Sequence, residues 1–184
     1  MALKSTVYRI NLHVCDMNLS HFAEYPLTLA RHPSETAERL MMRVIAFALF
    51  ADESLRFGAG LSSADEPDLV LADLTGAIKL WIEVGLPEVR WISKALSKAE
   101  KVVVVAYGGN ARRWFRSLET EFVEARRSGR LALVVVTTDD GALFQGLATR
   151  NAQLSVTIQD DQLWLTGESG TVALSVAGLK DGVQ

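Results

Sequence analysis

The residues whose types and spacing best suit chemistry lie between Asp65 and Gly85. This stretch opens Asp65-Glu66-Pro67-Asp68 and closes Trp81-Ile82-Glu83-Val84-Gly85. Thr75-Gly76 reads as a turn between two strands, so an acid opens the first strand and Glu83 closes the second. Alternation puts Trp81 and Glu83 on one face and Leu80, Ile82 and Val84 on the other. A carboxylate that ends an apolar strand is costly to bury without a partner, which an arginine, a backbone N–H or a divalent cation would supply. Mg²⁺ (or Mn²⁺) takes one or two carboxylates and keeps water, and Asp68 with Glu83 would provide that pair. Such an ion neutralises phosphate charge and activates water.

Elsewhere the chemistry-bearing residue types are sparse. Tyr107-Gly108-Gly109 has neither the spacing nor the lysine of a phosphate loop and reads as a plain turn. The lone Cys15 forms no internal disulfide, carries no nucleophile signature and reads as a small core residue. His13, His21 and His32 lack metal-ligand spacing, and His32 suits entry to a helix. Arg112, Arg113 and Arg116, with Arg126, Arg127 and Arg130 beyond them, would meet the phosphates of a nucleic acid. Glu119, Glu121 and Glu124 in the same segment give the competing reading, a solvated amphipathic face on which Trp114 and Phe115 are packing residues.

The elements that must position these residues follow from periodicity. Thr6 to Val14 alternates as a half-buried strand, and Tyr25 to Leu29 closes a hairpin with it. Helical spacing runs from about Pro33 to Asp52. The acidic hairpin follows, then a helix from Pro87 to Lys98, a strand Val102 to Tyr107, a helix Ala111 to Arg127 and a strand Leu131 to Thr137. Asp139 would cap a short helix, Gly141 to Leu147. A meander ends the chain: Leu154 to Ile158, Leu163 to Thr166 and Thr171 to Val176. Valine runs at 102–105 and 134–136 predict strands buried on both faces. The expected fold is a mixed α/β domain (α+β in its mixed sheet) spanning 1–184, with an N-terminal hairpin and a C-terminal β-meander.

Bulk properties exclude much and name nothing. The chain has 184 residues, 49% hydrophobic and 22% charged, which suits one domain with an ordinary core rather than disorder or a coiled coil. No apolar run approaches the roughly 20 residues of a membrane span, and no secretory core precedes the first strand. The net charge of −3 argues against a globally basic nucleic-acid surface. These features predict a soluble cytoplasmic protein with no membrane contact and no identifiable protein partner.

Pro67-Asp68 and Glu83-Val84-Gly85 resemble the acidic hairpin of the PD-(D/E)XK nucleases, a restriction-endonuclease-like core flanked by helices. Gly85 stands where that motif has lysine. Some members of the superfamily supply the lysine from the next helix, where Lys94 and Lys98 lie four residues apart. A broader similarity runs along nearly the whole chain. Ala30-Arg31-His32-Pro33-Ser34-Glu35, Phe57-Gly58, Asp65-Glu66-Pro67, Trp81 to Pro87 and Thr157-Ile158-Gln159-Asp160 together resemble the YaeQ family, bacterial cytoplasmic proteins with a variant of this architecture. The resemblance carries over Arg31, His32, Glu35, Glu38, Glu66, Pro67, Glu83 and Pro87. Either Glu66 or Asp68 is then the first acid.

Two classes of function follow. In the first, Glu66 or Asp68 holds Mg²⁺ or Mn²⁺ with Glu83, Glu38 or Glu35 adds a ligand or orients water, and Lys94 stabilises phosphate charge. In the second, the pocket is degenerate and the protein binds or regulates. Glu35, Glu38, Arg31, Arg39 and Arg43 then form a surface ion-pair network, with Glu35 and Arg39 at i,i+4 spacing. A protein-interaction module built on an exposed sheet edge is a further alternative. The missing strand lysine favours the binding or regulatory protein.

Overall fold

The structure, a computed structural model, describes residues 5–58, 66–118 and 120–178. In chain order the strands and helices are β1 (Thr6–Asp16), β2 (His21–Arg31), α1 (Ala37–Leu49), β3 (Arg56–Phe57), β4 (Leu69–Ala72) and β5 (Ile78–Val84). After them come α2 (Val89–Lys98), β6 (Ala99–Tyr107), α3 (Ala111–Ser117), α4 (Val123–Arg127) and β7 (Leu131–Thr138). The chain closes with α5 (Gly141–Gly146), β8 (Asn151–Gln159), β9 (Gln162–Gly167) and β10 (Gly170–Ala177). The class is mixed α/β, as the alternating and helical periods predict. The chain forms two compact units, residues 1–53 with 137–176, and residues 54–136 with 177–184.

In the first unit β1 and β2 pair antiparallel from Thr6↔Arg31 to Asp16↔His21. The second strand of this hairpin is longer than the expected Tyr25 to Leu29, because its ladder with β1 continues unbroken from Arg31 to His21. β8 joins β1 in parallel, and β8, β9 and β10 form the expected meander. Tyr8, Ile10, Leu12 and Val14 are buried, while Val7, Arg9 and His13 are exposed. Cys15 corrects the core assignment: it is half-buried and falls on the outward-facing set with His13 and Arg9.

α1 is buried at every residue from Leu40 to Leu49. It starts at Ala37 rather than at Pro33, because the Thr36 hydroxyl accepts from the Arg39 amide at 3.1 Å and caps the helix there. The residues before it form a turn instead. His32 accepts at its carbonyl from the Glu35 amide, and its Nδ1 sits 2.7 Å from the Ser34 hydroxyl, an entry role as its place in the sequence suggests. Asp140, not Asp139, caps α5, accepting from the Leu143 amide at 2.9 Å.

In the second unit the strands lie in the order β7-β6-β5-β4-β3. β5, β6 and β7 are parallel, and β4 and β3 continue antiparallel. Val102 to Ala106 are wholly buried, the doubly covered strand that the valine run predicts. Trp81, Ile92, Ala95, Val104, Leu118 and Leu133 share one core cluster. The single helix expected from Ala111 to Arg127 is two helices instead. Phe122 takes a left-handed backbone, φ 54°, which ends any continuous helix there, and Phe115 and Phe122 both pack against that cluster.

The β4–β5 turn forms at Thr75-Gly76 as expected, with Gly76 at φ 86°. Asp73 holds it by accepting from the Thr75 hydroxyl (2.6 Å), the Thr75 amide (2.8 Å) and the Ala77 amide (3.1 Å). The Thr75 hydroxyl bond is the main reason that the Asp73 carboxyl is lowered to about 2. Among the described residues no helix is long and apolar enough to cross a membrane.

Candidate functional site

The acidic hairpin is built by strand register. Leu69 pairs with Ile82, so Asp68 stands opposite Glu83 one step further on. The Asp68 amide donates to the Ile82 carbonyl at 3.0 Å, and its carbonyl accepts from the Gly58 amide at 2.8 Å. Its carboxylate Oδ2 accepts from the Val84 amide at 2.8 Å. Asp68 thus completes the ladder with a side-chain oxygen where β4 begins, and it is only 4% exposed. Glu66, the alternative first acid, is exposed. Asp65 lies outside the described residues.

Glu83 is oriented from its own strand. Trp81 and Glu83 share a face as alternation requires, and the indole Nε1–H of Trp81 donates to Glu83 Oε1 at 2.7 Å. Trp81 is buried in the core cluster, so the carboxylate is anchored to a ring that packing immobilises. Of the two lysines on α2, Lys98 places its Nζ 5.6 Å from the Trp81 ring centroid, whereas Lys94 lies 5.8 Å from that of Trp91. Lys98 is therefore the cation attached to the ring that holds Glu83. The sequence reading gave the phosphate role to Lys94, and the crossover from β5 through α2 to β6 is what puts Lys98 at this ring.

Gly85 takes a backbone that disfavours any side chain at this position. Its φ is +126°, while its amide donates to the Val105 carbonyl at 2.9 Å. That conformation is open to glycine and rarely to side chains. An added Cβ would meet nothing within 4 Å, so the obstacle is backbone and not space. Gly85→Ala and Gly85→Lys are expected to cost alike, about 1–3 kcal/mol, in urea unfolding. A lysine variant as stable as the wild type would show that the backbone relaxes and that position 85 can host the motif residue.

Glu35 and Glu38 belong to the other unit. Glu38 is half-buried in the first turn of α1. Glu35 is 2.8 Å from Arg39, the expected i,i+4 pair, and 3.4 Å from Arg43. The network is not at the surface, however, since both the Arg43 and Glu35 side chains are fully buried. Arg31 belongs to it through Nε, which donates to the Glu35 carbonyl at 2.9 Å, and Nη1, which donates to the Tyr8 hydroxyl at 3.1 Å. Among the described residues no group of three or more His, Cys, Asp or Glu stands close enough together to hold a metal ion.

The arginine-rich segment divides by role. Arg130 donates to the Leu96 and Ala99 carbonyls, closing the C-terminal end of α2. Arg126 stacks 5.4 Å from the Phe115 ring centroid. Trp114 donates to the Pro87 carbonyl at 3.1 Å and packs with Phe115 on the core, the packing role expected of both. Arg112, Arg113 and Arg116 on α3 and Arg127 on α4 are exposed, with no ion pair or hydrogen bond to their side chains among the described residues.

Comparison with known proteins places the whole chain. The family model described as YaeQ protein matches residues 1–176. The YaeQ protein of Salmonella typhi is 41% identical over 169 residues, covering 90% of this chain and 91% of its own. That of Escherichia coli strain K12 is 36% identical over 177 residues, 96% of each. The crystal structure of the YaeQ protein from Xanthomonas axonopodis pv. citri superposes with a TM-score of 0.86 at 38% identity, over 94% of this chain and 97% of that one. The YaeQ structure from Pseudomonas syringae gives 0.80 at 28% identity, over 94% of each chain. With sequence similarity running end to end and the fold matched at this level, the chain belongs to the YaeQ family.

Proposed function

We propose that this YaeQ protein works by binding a polyanionic partner, with the acidic hairpin retained as structure rather than as a hydrolytic centre. The observation that carries this reading is the use already made of the hairpin carboxylates. Asp68 is buried and spends Oδ2 on the Val84 amide, and Glu83 spends Oε1 on the Trp81 indole. The backbone at Gly85 disfavours the motif lysine as well. Against this, Arg112, Arg113, Arg116 and Arg127 present guanidinium groups to solvent, suited to the phosphate backbone of a nucleic acid. The half-buried free thiol of Cys15 suits a reducing cytoplasm.

The test is anisotropy of labelled single-stranded DNA, duplex DNA and RNA over a salt series. Affinity should fall steeply with salt, and Arg112→Ala/Arg113→Ala should lower the slope by about 1–2. No saturable binding at low salt would overturn the reading.

A second reading, Mg²⁺- or Mn²⁺-dependent phosphodiester cleavage on a restriction-endonuclease-like fold, is favoured by one observation. Asp68 and Glu83 face each other in register on a hairpin preceded in the chain by a helix and followed by α2 and the parallel β6. Glu66 would have to complete the ligand set, and Lys94 or Lys98 would supply the cation. Calorimetry decides it: metal binding that disappears in Glu83→Gln, together with metal-dependent cleavage, would replace the first reading with the second.

A further inference from the structure

We propose that the end of the first unit where β1 and β8 begin is a binding site for a phosphate monoester with a polar, sugar-sized body. The two strands are parallel with Arg9 opposite Asn151, and the Arg9 amide donates to the Arg150 carbonyl at 2.8 Å. Register therefore brings the backbones of Arg9 and Arg150 together. A cavity of about 490 Å³ opens beside them, bordered by both arginines, Ser5, Thr6 and Asn151. A second cavity of about 410 Å³ shares Arg9 and Asn151 and extends over Asn11, Pro26, Thr28 and Gln153.

Among the described residues the charge at this place is uncompensated. No described residue that lines either cavity is an aspartate or glutamate. Arg9 and Arg150 are exposed, and neither side chain makes an ion pair or hydrogen bond among the described residues. Glu24 stands opposite His13, four register positions from Arg9 along the β1–β2 ladder, and is already held, accepting from the Asn11 amide and standing 3.5 Å from His13.

An anion in the cavity that both arginines border would satisfy two guanidinium groups at once. A phosphate monoester supplies close to two charges at neutral pH and three terminal oxygens for their forked donors. The Ser5 and Thr6 hydroxyls and the Asn151 amide are further donors at the same cavity. A bare phosphate would leave the second cavity empty, whereas the amides of Asn11 and Gln153 offer donors and acceptors to hydroxyls on an attached body. This site lies in a different unit from the arginines of α3 and α4.

Calorimetry with inorganic phosphate, ribose 5-phosphate and ribose tests the site. Ribose 5-phosphate should bind more tightly than phosphate, and ribose not at all. Arg9→Gln and Arg150→Gln should each weaken ribose 5-phosphate binding by at least about tenfold, since each removes one charged donor pair. Gln153→Ala should weaken ribose 5-phosphate but leave phosphate unchanged. Arg112→Ala/Arg113→Ala should bind ribose 5-phosphate like the wild type, which keeps this site separate from the polyanion reading. Absence of heat with both phosphates, or wild-type affinity in either arginine variant, would overturn the proposal. Equal binding of phosphate and ribose 5-phosphate would overturn the part that concerns the organic body.

Discussion

Glu35→Gln is expected to lower the unfolding free energy by about 3–5 kcal/mol, because it removes one partner of a buried ion pair and leaves the other. Arg43 is fully buried on a helix whose neighbouring residues are all apolar from Leu40 to Leu49. Glu35 provides a carboxylate 3.4 Å from its Nη1, and the Ala30 carbonyl accepts from the same nitrogen at 3.1 Å. Glutamine keeps the shape and an acceptor but takes the negative charge away, so the guanidinium stays desolvated without that counter-charge.

Two further variants separate charge from packing. Arg39→Ala should cost less, about 1–2 kcal/mol, since Arg39 is 17% exposed and Glu35 retains Arg43. Glu35→Leu/Arg43→Met should recover much of the loss, because replacing both members of a buried pair by apolar groups is often close to neutral. Equilibrium urea unfolding measures all three. A Glu35→Gln variant within about 1 kcal/mol of wild type, inside the range of an ordinary surface pair, would show that the pair is not decisive.

Trp81→Ala is expected to cost a similar 3–5 kcal/mol, by emptying a core position that is 2% exposed and packs with Ile92, Ala95 and Val102. Trp81→Phe separates packing from hydrogen bonding. It keeps most of the ring and loses the indole N–H, so Glu83 gives up its 2.7 Å donor and about 1–2 kcal/mol should go. Glu83→Gln keeps a carbonyl acceptor for the indole and should change stability little. Urea unfolding reads the stability, and the indole proton resonance of Trp81 reads the bond. The resonance should stay shifted in Glu83→Gln and move in Glu83→Leu. If it ignores both substitutions, Glu83 is not anchored by the ring.

Much of the strand framework was readable from local pattern. The alternation of Thr6 to Val14, the valine runs and the Thr75-Gly76 turn all report on neighbours close in the chain, and each placed its element correctly. Errors fell where distant packing decides. Periodicity alone joined Ala111 to Arg127 into one helix, and the left-handed backbone at Phe122 that interrupts it has no local signal. Pro33 invited an early start to α1, but Thr36 was the residue whose hydroxyl met an unpaired amide. Cys15 was assigned to the core by type, and its place in the alternation put it on the outer face.

By itself the amino-acid sequence determined the mixed α/β class and, by resemblance, the family, while it left the first hairpin acid open between Glu66 and Asp68. The class follows from residue type and spacing. The tertiary structure alone decided what the acids touch. It buried Asp68 under a backbone amide, tied Glu83 to Trp81, chose Lys98 over Lys94 for the ring beside it, and closed Glu35 into a buried pair with Arg43. It also brought Arg9 beside Arg150, which are 141 positions apart in the chain (150 − 9) and joined by one strand pairing. The physical reason is common to all of these. A carboxylate or guanidinium takes its character from the donors, charges and solvent within a few ångströms of it, and strand register and helix crossover set those, not spacing along the chain.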